Sequence, residues 1–519
     1  MNRQAMASHT FITGSTGTGK SNAVYHLLDE ITKNGQTTFL VVEPAKGEYK
    51  NVFGNCTDVQ VFGTNPRETP LLRMNPFAFP ENIHILEHID RLVEIFNACW
   101  PMYAAMPAVL KDAIERSYQK VGWDLRNSES EKGVFPTFFD LLDILPGVIE
   151  ESHYSKDTQS DYVGALCTRV KSLTNGIYGS VLCAEDALTD EALFDRNVIV
   201  DLSRVGSMET KSLLMGILVM KLQEYRMCSS GMNSRLRHVT VLEEAHNLLR
   251  KTSAEQSQEG ANLQGKSVEM LANAIAEMRT YGEGFIIADQ APGLLDMSVI
   301  RNTNTKIILR LPDEEDRKLV GKSVALKEAQ IDELSKLPLG VAAVYQNEWP
   351  EAVLCKIEAY PMPENAVYHK PSKMPHEINA EFVFGQLAVG KELKPLSSSE
   401  MEQLKLWLKR HETVLKPEDS RYLERVFAGG ELDVAKTRKA VFDFFGGIGT
   451  VVDYCAAAKK SLTPRKEFLE QLQGQYGLKA AAADWVLNSV ISMGMSLNPD
   501  AKAVDNLRTN FEQQGGRVL

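Results

Sequence analysis

A complete phosphate-binding loop lies close to the start of the chain. Residues 14–21 read G-S-T-G-T-G-K-S, which fits the pattern G-x-x-x-x-G-K-[ST]. The β-prone residues 10–13 predict a strand before the loop, and residues 22–28 predict the start of a helix after it. In this setting backbone N–H groups turn towards a phosphate, and the helix N-terminus adds partial positive charge. The sequence therefore predicts a site for a nucleoside triphosphate, and we expect ATP.

The loop pattern also assigns individual roles. Lys20 is predicted to reach the β- and γ-phosphates, and Ser21 is predicted to ligate Mg²⁺. A glycine-rich turn that binds nothing is the alternative, and the strand–loop–helix setting argues against it. The residues predicted to bind the nucleotide are Gly14, Ser15, Thr16, Gly17, Thr18, Gly19, Lys20, Ser21 and Asn22.

Polar side chains end two later apolar runs. Residues 239–244 read V-T-V-L-E-E, and in a parallel sheet the carboxyl end of such a strand faces the nucleotide. Glu243 is predicted to hold the Mg²⁺ shell, and Glu244 to orient and polarise the attacking water. A charged helix cap is the alternative reading of the pair. Gln290 ends the run 284–290, where it can hydrogen-bond the γ-phosphate or the attacking water, or be an ordinary loop amide.

Three arginines are candidates for stabilising charge in the transition state. They are Arg279, Arg301 and Arg310. A guanidinium that reaches the γ-phosphate of a neighbouring subunit increases the hydrolysis rate by several orders of magnitude. Each is also a candidate for a surface salt bridge, so the residue pattern leaves the choice open.

Composition limits the class of protein. The 519 residues are 44% hydrophobic and 24% charged, with a formal net charge of −11. That charge argues against a surface coated in basic patches, but a ring can keep basic residues on its central channel. The sequence has no apolar stretch of about eighteen residues, so we expect no membrane span. Residues 1–7 lack the apolar core of a signal peptide, so we expect none there. The seven scattered cysteines form no C-x-x-C pair, which favours a reducing cytoplasm over disulfides or a zinc site.

Alternating apolar runs and helical periods predict an α/β fold with a mostly parallel sheet. Residues of about 81–185 show helical spacing and predict a helical insertion within this domain. We expect the α/β domain to cover residues 1–360. The proline-rich, polar residues 361–396 predict a linker, and residues 397–519 predict a C-terminal α-helical domain.

Several separated stretches resemble the HerA/FtsK group of P-loop ATPases, in particular the HerA-like DNA-translocating ATPases. The resemblance extends over residues 9 to about 350 and is more specific than the loop alone. The stretches that carry it are residues 9–22, 43–49, 201–203, 242–247, 287–292 and 304–307.

The resemblance implies a RecA-like core in a hexameric ring, with ATP between subunits and double-stranded DNA in the pore. It also implies a nuclease or another effector as partner. Arg279, within residues 277–282, matches the arginine on the family's helix before the strand that ends in Gln290. The resemblance makes Arg279 the first choice for an arginine finger, an arginine that acts on the nucleotide of a neighbouring subunit. Two departures are expected: no N-terminal β-barrel before Thr10, and Ala291-Pro292 after Gln290 where many relatives have arginine.

The predicted function is that of an ATP-driven DNA translocase or helicase in DNA end processing or anti-phage defence. One alternative is an ATP-gated scaffold that assembles and regulates an effector without moving along DNA. Another alternative is a conjugation or secretion ATPase, which would need recruitment to a membrane. The sequence offers no obvious anchor for that recruitment.

Overall fold

The computed structural model divides into two compact units, one of residues 1–130 and 134–370 and one mainly of residues 371–519. Most of the predicted linker 361–396 and the start of the predicted helical domain lie outside the described residues, so these boundaries stay predictions. The structure describes residues 3–33, 37–103, 105–130, 134–184, 187–252, 263–362, 366–371, 418, 421, 422, 425, 433–458, 463–476, 480–498 and 500–516.

A single large sheet organises the first unit. Among the described residues it has nine strands, in the order β11-β10-β9-β1-β8-β7-β2-β6-β3, and a separate hairpin is formed by β4 and β5. The strands are β1 (Thr10–Thr13), β2 (Thr38–Glu43), β3 (Val59–Gly63), β4 (Trp123–Asp124), β5 (Glu129–Ser130), β6 (Asn197–Asp201), β7 (His238–Glu243), β8 (Glu283–Asp289), β9 (Thr305–Ile308), β10 (Val341–Gln346) and β11 (Val353–Lys356).

The large sheet is parallel from β9 to β3, and only β10 and β11 run antiparallel to their neighbours. This confirms the predicted fold class. Adjacent residues of a strand face opposite sides of a sheet, so Phe11 and Leu40 enter one hydrophobic core while Ile12 and Val41 enter the other. Burial on both faces explains why these strands read as continuous apolar runs.

Helices cover both faces of the sheet. Between β3 and β6 the chain leaves the sheet for a run of helices, which confirms the predicted helical insertion. The helices of the first unit are α1 (Lys20–Thr32), α2 (Tyr49–Phe53), α3 (Ile85–Cys99), α4 (Met106–Lys120), α5 (Phe138–Glu151), α6 (Lys156–Tyr162), α7 (Thr168–Thr174), α8 (Gly176–Leu182), α9 (Asp190–Phe194), α10 (Met208–Ser229), α11 (Leu263–Glu277), α12 (Met297–Arg301), α13 (Glu314–Ser323) and α14 (Glu328–Glu333). A π-helical turn, Val163–Cys167, joins α6 to α7, and short 3₁₀ helices include Arg3–Ser8, Ala245–Asn247, Met278–Tyr281 and Pro292–Leu294.

The described part of the second unit is helical. Its core is built from aromatic and aliphatic side chains that include Tyr454, Leu487 and Phe511. Arg465 lies in this core and donates a hydrogen bond to Asn488 Oδ1 at 3.2 Å, so it joins two helices. The helices are Val434–Phe444, Gly447–Ala458, Pro464–Tyr476, Ala480–Leu497 and Ala501–Gln513. Across the residues described in both units, no helix combines the length and the apolar character that a bilayer crossing requires.

Candidate nucleotide-binding site

The phosphate-binding loop connects the central strand β1 to α1. Gly19 lies in the left-handed region with φ of 108°, which a side chain disfavours. Gly14 is required for a different reason, since a Cβ there would lie 2.7 Å from Leu309 Cβ. The backbone N–H of Ser15 donates to the Arg310 carbonyl at 3.0 Å, so the segment that follows β9 supports the loop. The local sequence therefore folds as the pattern predicts.

Lys20 is the first residue of α1 and is only 9% exposed. Its ammonium group donates to the Gly14 carbonyl at 2.8 Å, so the side chain curls back over the loop. Burial lowers the pKa of Lys20, while the nearby Glu244 and Glu243 carboxylates oppose that shift. The cation therefore lies between the loop and the two predicted catalytic carboxylates.

The paired carboxylates lie at the carboxyl end of β7. Glu243 ends the strand, and Glu244 has φ of 44° and ψ of 52° in the left-handed region, an unfavourable conformation for a residue with a side chain. Both residues are buried, with 7% of their surface exposed. Glu243 accepts a hydrogen bond from the Tyr49 hydroxyl, and burial raises its pKa to about 7. The turn at Glu244 lets two consecutive carboxylates border one cavity.

Gln290 joins the loop to the second carboxylate. It follows β8, which lies between β1 and β7 in the sheet. Its amide oxygen accepts a hydrogen bond from the Thr16 hydroxyl, and its amide nitrogen donates to Glu244 Oε1. The structure thus brings together the predicted loop, the predicted carboxylates and the predicted sensor glutamine.

A histidine–aspartate pair lies beside Glu244. His246 Nδ1 is 2.9 Å from Asp289 Oδ2 and 3.6 Å from Glu244 Oε2. The hydrogen bond with Asp289 raises the pKa of His246. These three side chains could hold a metal ion, because their ligand atoms lie within 4.8 Å of one another. Asp289 already accepts hydrogen bonds from the backbone N–H groups of His246 at 2.8 Å and Ala291 at 3.0 Å.

The cavity has the donor set that a magnesium–nucleotide complex requires. Ser21 and Glu243 both line it and offer oxygen ligands, the class that Mg²⁺ prefers. Lys46 also lines the cavity and supplies a second cation beside Lys20. The residues present therefore fit Mg²⁺ and a polyphosphate.

Two residues of the predicted loop have their side chains engaged elsewhere. The Asn22 amide donates to the Glu358 carbonyl at 2.9 Å and accepts from the Tyr360 N–H at 2.7 Å, although Asn22 does line the cavity. The Thr18 hydroxyl donates to the Ser15 carbonyl at 2.7 Å, which closes the loop. Direct nucleotide contacts from these two side chains stay predictions.

The three candidate arginines lie in different places. Arg279 is exposed on the 3₁₀ helix that precedes β8, whereas Gln290 follows that strand. Seven residues of strand span roughly 20 Å, so Arg279 lies on the sheet edge opposite its own cavity. Arg301 is exposed at the end of α12. Arg310 supports the loop through its carbonyl oxygen, which also accepts from the Ser15 hydroxyl at 3.2 Å.

Sequence reasoning assigned no site role to Glu43, Lys46, Tyr49 or Leu339, yet all four line the cavity. Glu43 ends the apolar strand β2, the same signal that identified Glu243, and could have been found by it. Burial raises the pKa of Glu43 to about 8. Tyr49 carries no such signal, because its contact with Glu243 depends on β2 pairing with β7.

The family model and the curated relatives that match this chain carry the same family name, HerA. Residues 3–221 match the family model described as the central domain of helicase HerA. The DNA double-strand break repair helicase HerA of Sulfolobus acidocaldarius is 26% identical over 370 residues, covering 68% of this chain and 66% of that protein. Its namesake from Saccharolobus solfataricus is 23% identical over 356 residues, covering 66% of this chain and 63% of that protein. The chain thus spans slightly less than two thirds of these relatives.

Solved structures show the same fold at low identity. VirB4 of Thermoanaerobacter pseudethanolicus has a TM-score of 0.52 at 19% identity, covering 68% of this chain and 90% of that chain. The plasmid coupling protein TrwB, solved with ADP and Mg²⁺, has a TM-score of 0.51 at 14% identity, covering 70% of this chain and 89% of that chain. At these identities the similarities show the fold alone.

Proposed function

We propose that the chain is a P-loop ATPase of the HerA type that hydrolyses ATP to translocate along double-stranded DNA, supported by the match of residues 3–221 to the HerA central domain and by the HerA relatives. The working form is a homo-oligomeric ring, with six subunits as the expected number. One observation carries the proposal: the carboxyl ends of the neighbouring strands β1, β8 and β7 bring Lys20, Gln290, Glu243 and Glu244 to the border of one cavity. A protein that only binds nucleotide has no need of the second carboxylate.

The loop and its lysine bind the triphosphate in this proposal. Backbone N–H groups of residues 15–20 surround the β-phosphate, and Lys20 exchanges the Gly14 carbonyl for phosphate oxygens. Ser21 and Glu243 hold the Mg²⁺ ion. When bound, that ion neutralises charge on the β- and γ-phosphates. The ADP and Mg²⁺ found in TrwB support the same ligands here.

Glu244 is the proposed base that orients and polarises the attacking water. Its carboxylate is buried at the cavity wall and accepts from Gln290. Gln290 also accepts from Thr16 in the loop, so a phosphate that binds the loop competes for the same hydrogen bonds. Gln290 is therefore placed to respond to the presence of the γ-phosphate.

Arg279 is the proposed finger, and it acts on the nucleotide of a neighbouring subunit. Its exposed position on the opposite sheet edge prevents it from reaching its own cavity. In a head-to-tail ring each subunit presents one surface to a different surface of its neighbour. This arrangement allows the Arg279 edge of one subunit to complete the cavity of the next.

The relatives are named as DNA double-strand break repair helicases, which supports a role in DNA end processing. A nuclease or another effector is the proposed partner in that role. Anti-phage defence is a second setting for the same activity. All seven cysteines are free thiols, which supports a reducing, cytoplasmic location. An ATP-gated scaffold that regulates an effector is the alternative function.

The substitution Glu244→Gln tests the proposal. It keeps the side-chain shape, so ATP binding should stay within about twofold, while hydrolysis should fall about 10²- to 10⁴-fold. Glu209→Gln is the control, since Glu209 lies on α10 and pairs with Arg169 at 3.5 Å, away from the cavity. Unchanged turnover in Glu244→Gln would refute the assignment.

A DNA assay separates the translocase from the scaffold. The translocase predicts that double-stranded DNA stimulates hydrolysis and that the protein displaces a third strand from a triplex. Native mass spectrometry should give the mass of a homo-oligomer, with six as the expected number of subunits. The scaffold would be favoured if DNA left the hydrolysis rate unchanged, no triplex strand were displaced, and an effector bound in an ATP-dependent way.

A further inference from the structure

Tyr49 is a buried tyrosine whose hydroxyl reaches Glu243, the carboxylate predicted to hold the Mg²⁺ shell. It begins α2 and is 1% exposed. A buried hydroxyl requires a hydrogen-bond partner, and this one donates to Glu243 Oε1, a residue 194 positions later in the sequence. Tyr49 therefore connects the segment after β2 to the end of β7.

Glu43 holds Tyr49 in place from the other side. Its Oε1 accepts from the Glu48 N–H at 2.7 Å, and its Oε2 accepts from the Tyr49 N–H at 3.1 Å. Both oxygens of one buried carboxylate thus close the loop between β2 and α2. The same loop carries Lys46 to the cavity.

The tyrosine ring is also fixed by the helix of the phosphate-binding loop. The Tyr25 ring, on α1, contacts the Tyr49 ring edge to face with a centroid distance of 5.1 Å. Tyr49 is thus held by β2 through its backbone and by α1 through its ring. Its hydroxyl position is therefore determined independently of Glu243.

We propose that Tyr49 is a positioning residue for Glu243, fixing the rotation of the carboxylate so that Oε2 is presented to the cation. The inference rests on the proposed function, in which Glu243 holds the Mg²⁺ shell. Groups that hydrogen-bond a metal ligand orient it, and losing one weakens metal affinity about 10- to 100-fold. Tyr49 touches neither substrate nor reacting atoms in this role.

The substitution Tyr49→Phe removes only the hydroxyl. Binding of a non-hydrolysable ATP analogue to the full chain is measured by calorimetry, once with EDTA and once across a Mg²⁺ titration. Affinity in EDTA should stay within about twofold of the unsubstituted protein. The Mg²⁺ concentration that gives half of the affinity gain should rise about 10- to 100-fold.

Tyr118→Phe is the matched control. It also removes a buried hydroxyl. Tyr118 lies on α4 of the helical insertion, and its hydroxyl donates to the Phe77 carbonyl. Both binding measurements should be unchanged in this variant. If Tyr49→Phe also leaves the Mg²⁺ titration unchanged, or weakens binding equally in EDTA, the positioning role is overturned.

A second variant covers the case in which Tyr49→Phe does not fold. Glu43→Gln keeps the tyrosine but replaces one carboxylate oxygen with an amide nitrogen, which cannot accept a hydrogen bond from the backbone N–H groups of Glu48 and Tyr49. It should shift the Mg²⁺ titration in the same direction, and an unshifted titration overturns the proposal. If DNA does not stimulate hydrolysis but the substitutions shift the Mg²⁺ titration, the translocase function is refuted and the positioning role of Tyr49 is supported.

Discussion

A buried ionic cluster at the start of β8 allows a quantitative prediction of local stability. Glu283 is 0% exposed and accepts from Arg226 Nε at 2.9 Å and from the Thr240 hydroxyl at 2.8 Å. His238 Nδ1 lies 2.8 Å from Glu283 Oε1. Burial by itself would raise the pKa of Glu283, but His238 and Arg226 outweigh it and lower the pKa to about 2. The carboxylate is therefore ionised at neutral pH.

Glu283→Gln removes this charge at constant volume. Arg226 then keeps Asp195 as an ionic partner, 2.8 Å from its Nη1. Breaking a buried ion pair costs about 3 to 5 kcal/mol, and because Asp195 remains we expect about 3 kcal/mol. At about 1.4 kcal/mol per tenfold change, local opening becomes about two orders of magnitude more frequent.

Hydrogen exchange followed by mass spectrometry is the assay. The chain has two compact units, so a global unfolding curve is not a single transition, whereas peptides covering β7 and β8 report this cluster alone. Glu209→Gln, which changes a half-exposed pair, is the control and should leave these peptides unchanged. Exchange in Glu283→Gln that equals that of the unsubstituted protein at pH 7 would refute the reasoning.

The same cluster predicts a pH dependence. The pKa of Glu283 lies below its ordinary value of 4.5, so its ionisation stabilises the folded state above that pH. The stabilisation falls as the pH decreases from about 4.5 to about 2. The difference in exchange between the unsubstituted protein and Glu283→Gln should therefore disappear across this range. A constant difference would contradict the ionic origin.

Three further outcomes are expected. Arg279→Ala should lower hydrolysis about 10³-fold or more with unchanged ATP affinity, and mixing it with Lys20→Ala should restore part of the rate, because one mixed interface has both groups intact. Failure of this mixing experiment would exclude action in trans. Gly14→Ala places a Cβ 2.7 Å from Leu309 Cβ and Thr18 Oγ1. Such overpacking costs about 1–3 kcal/mol, so equilibrium binding should show ATP affinity about 5- to 150-fold weaker. Chelation of Mg²⁺ by EDTA should stop phosphate release, and continued release would contradict the proposed cation site.

The parallel part of the sheet was predictable because its strands are buried on both faces. The predicted strand 10–13 is β1 (Thr10–Thr13), and the run 239–244 corresponds to β7 (His238–Glu243). β11 (Val353–Lys356) was not predicted. It is an edge strand whose four residues are all exposed, so no burial pattern marks it in the sequence.

The convergence of Glu243, Glu244 and Gln290 was predictable for a related reason. Each follows an apolar run, and the carboxyl ends of parallel strands meet at one edge of a sheet. Glu43 obeys the same rule and was overlooked. The Tyr49–Glu243 hydrogen bond was not predictable, since it requires knowing that β2 lies beside β7 and how the short α2 is oriented.

The position of Arg279 follows from chain order once the sheet is known to be parallel. Residues that precede a strand lie at the amino end of the parallel strands, and residues that follow it lie at their carboxyl end. Arg279 precedes β8, while Asp289 at the end of that strand pairs with Thr13, directly before the phosphate-binding loop. An arginine so placed has a whole strand length between itself and its own nucleotide. A catalytic role for Arg279 therefore requires a second copy of the chain, which links the proposed ring to the chemistry and makes oligomer formation a condition of hydrolysis.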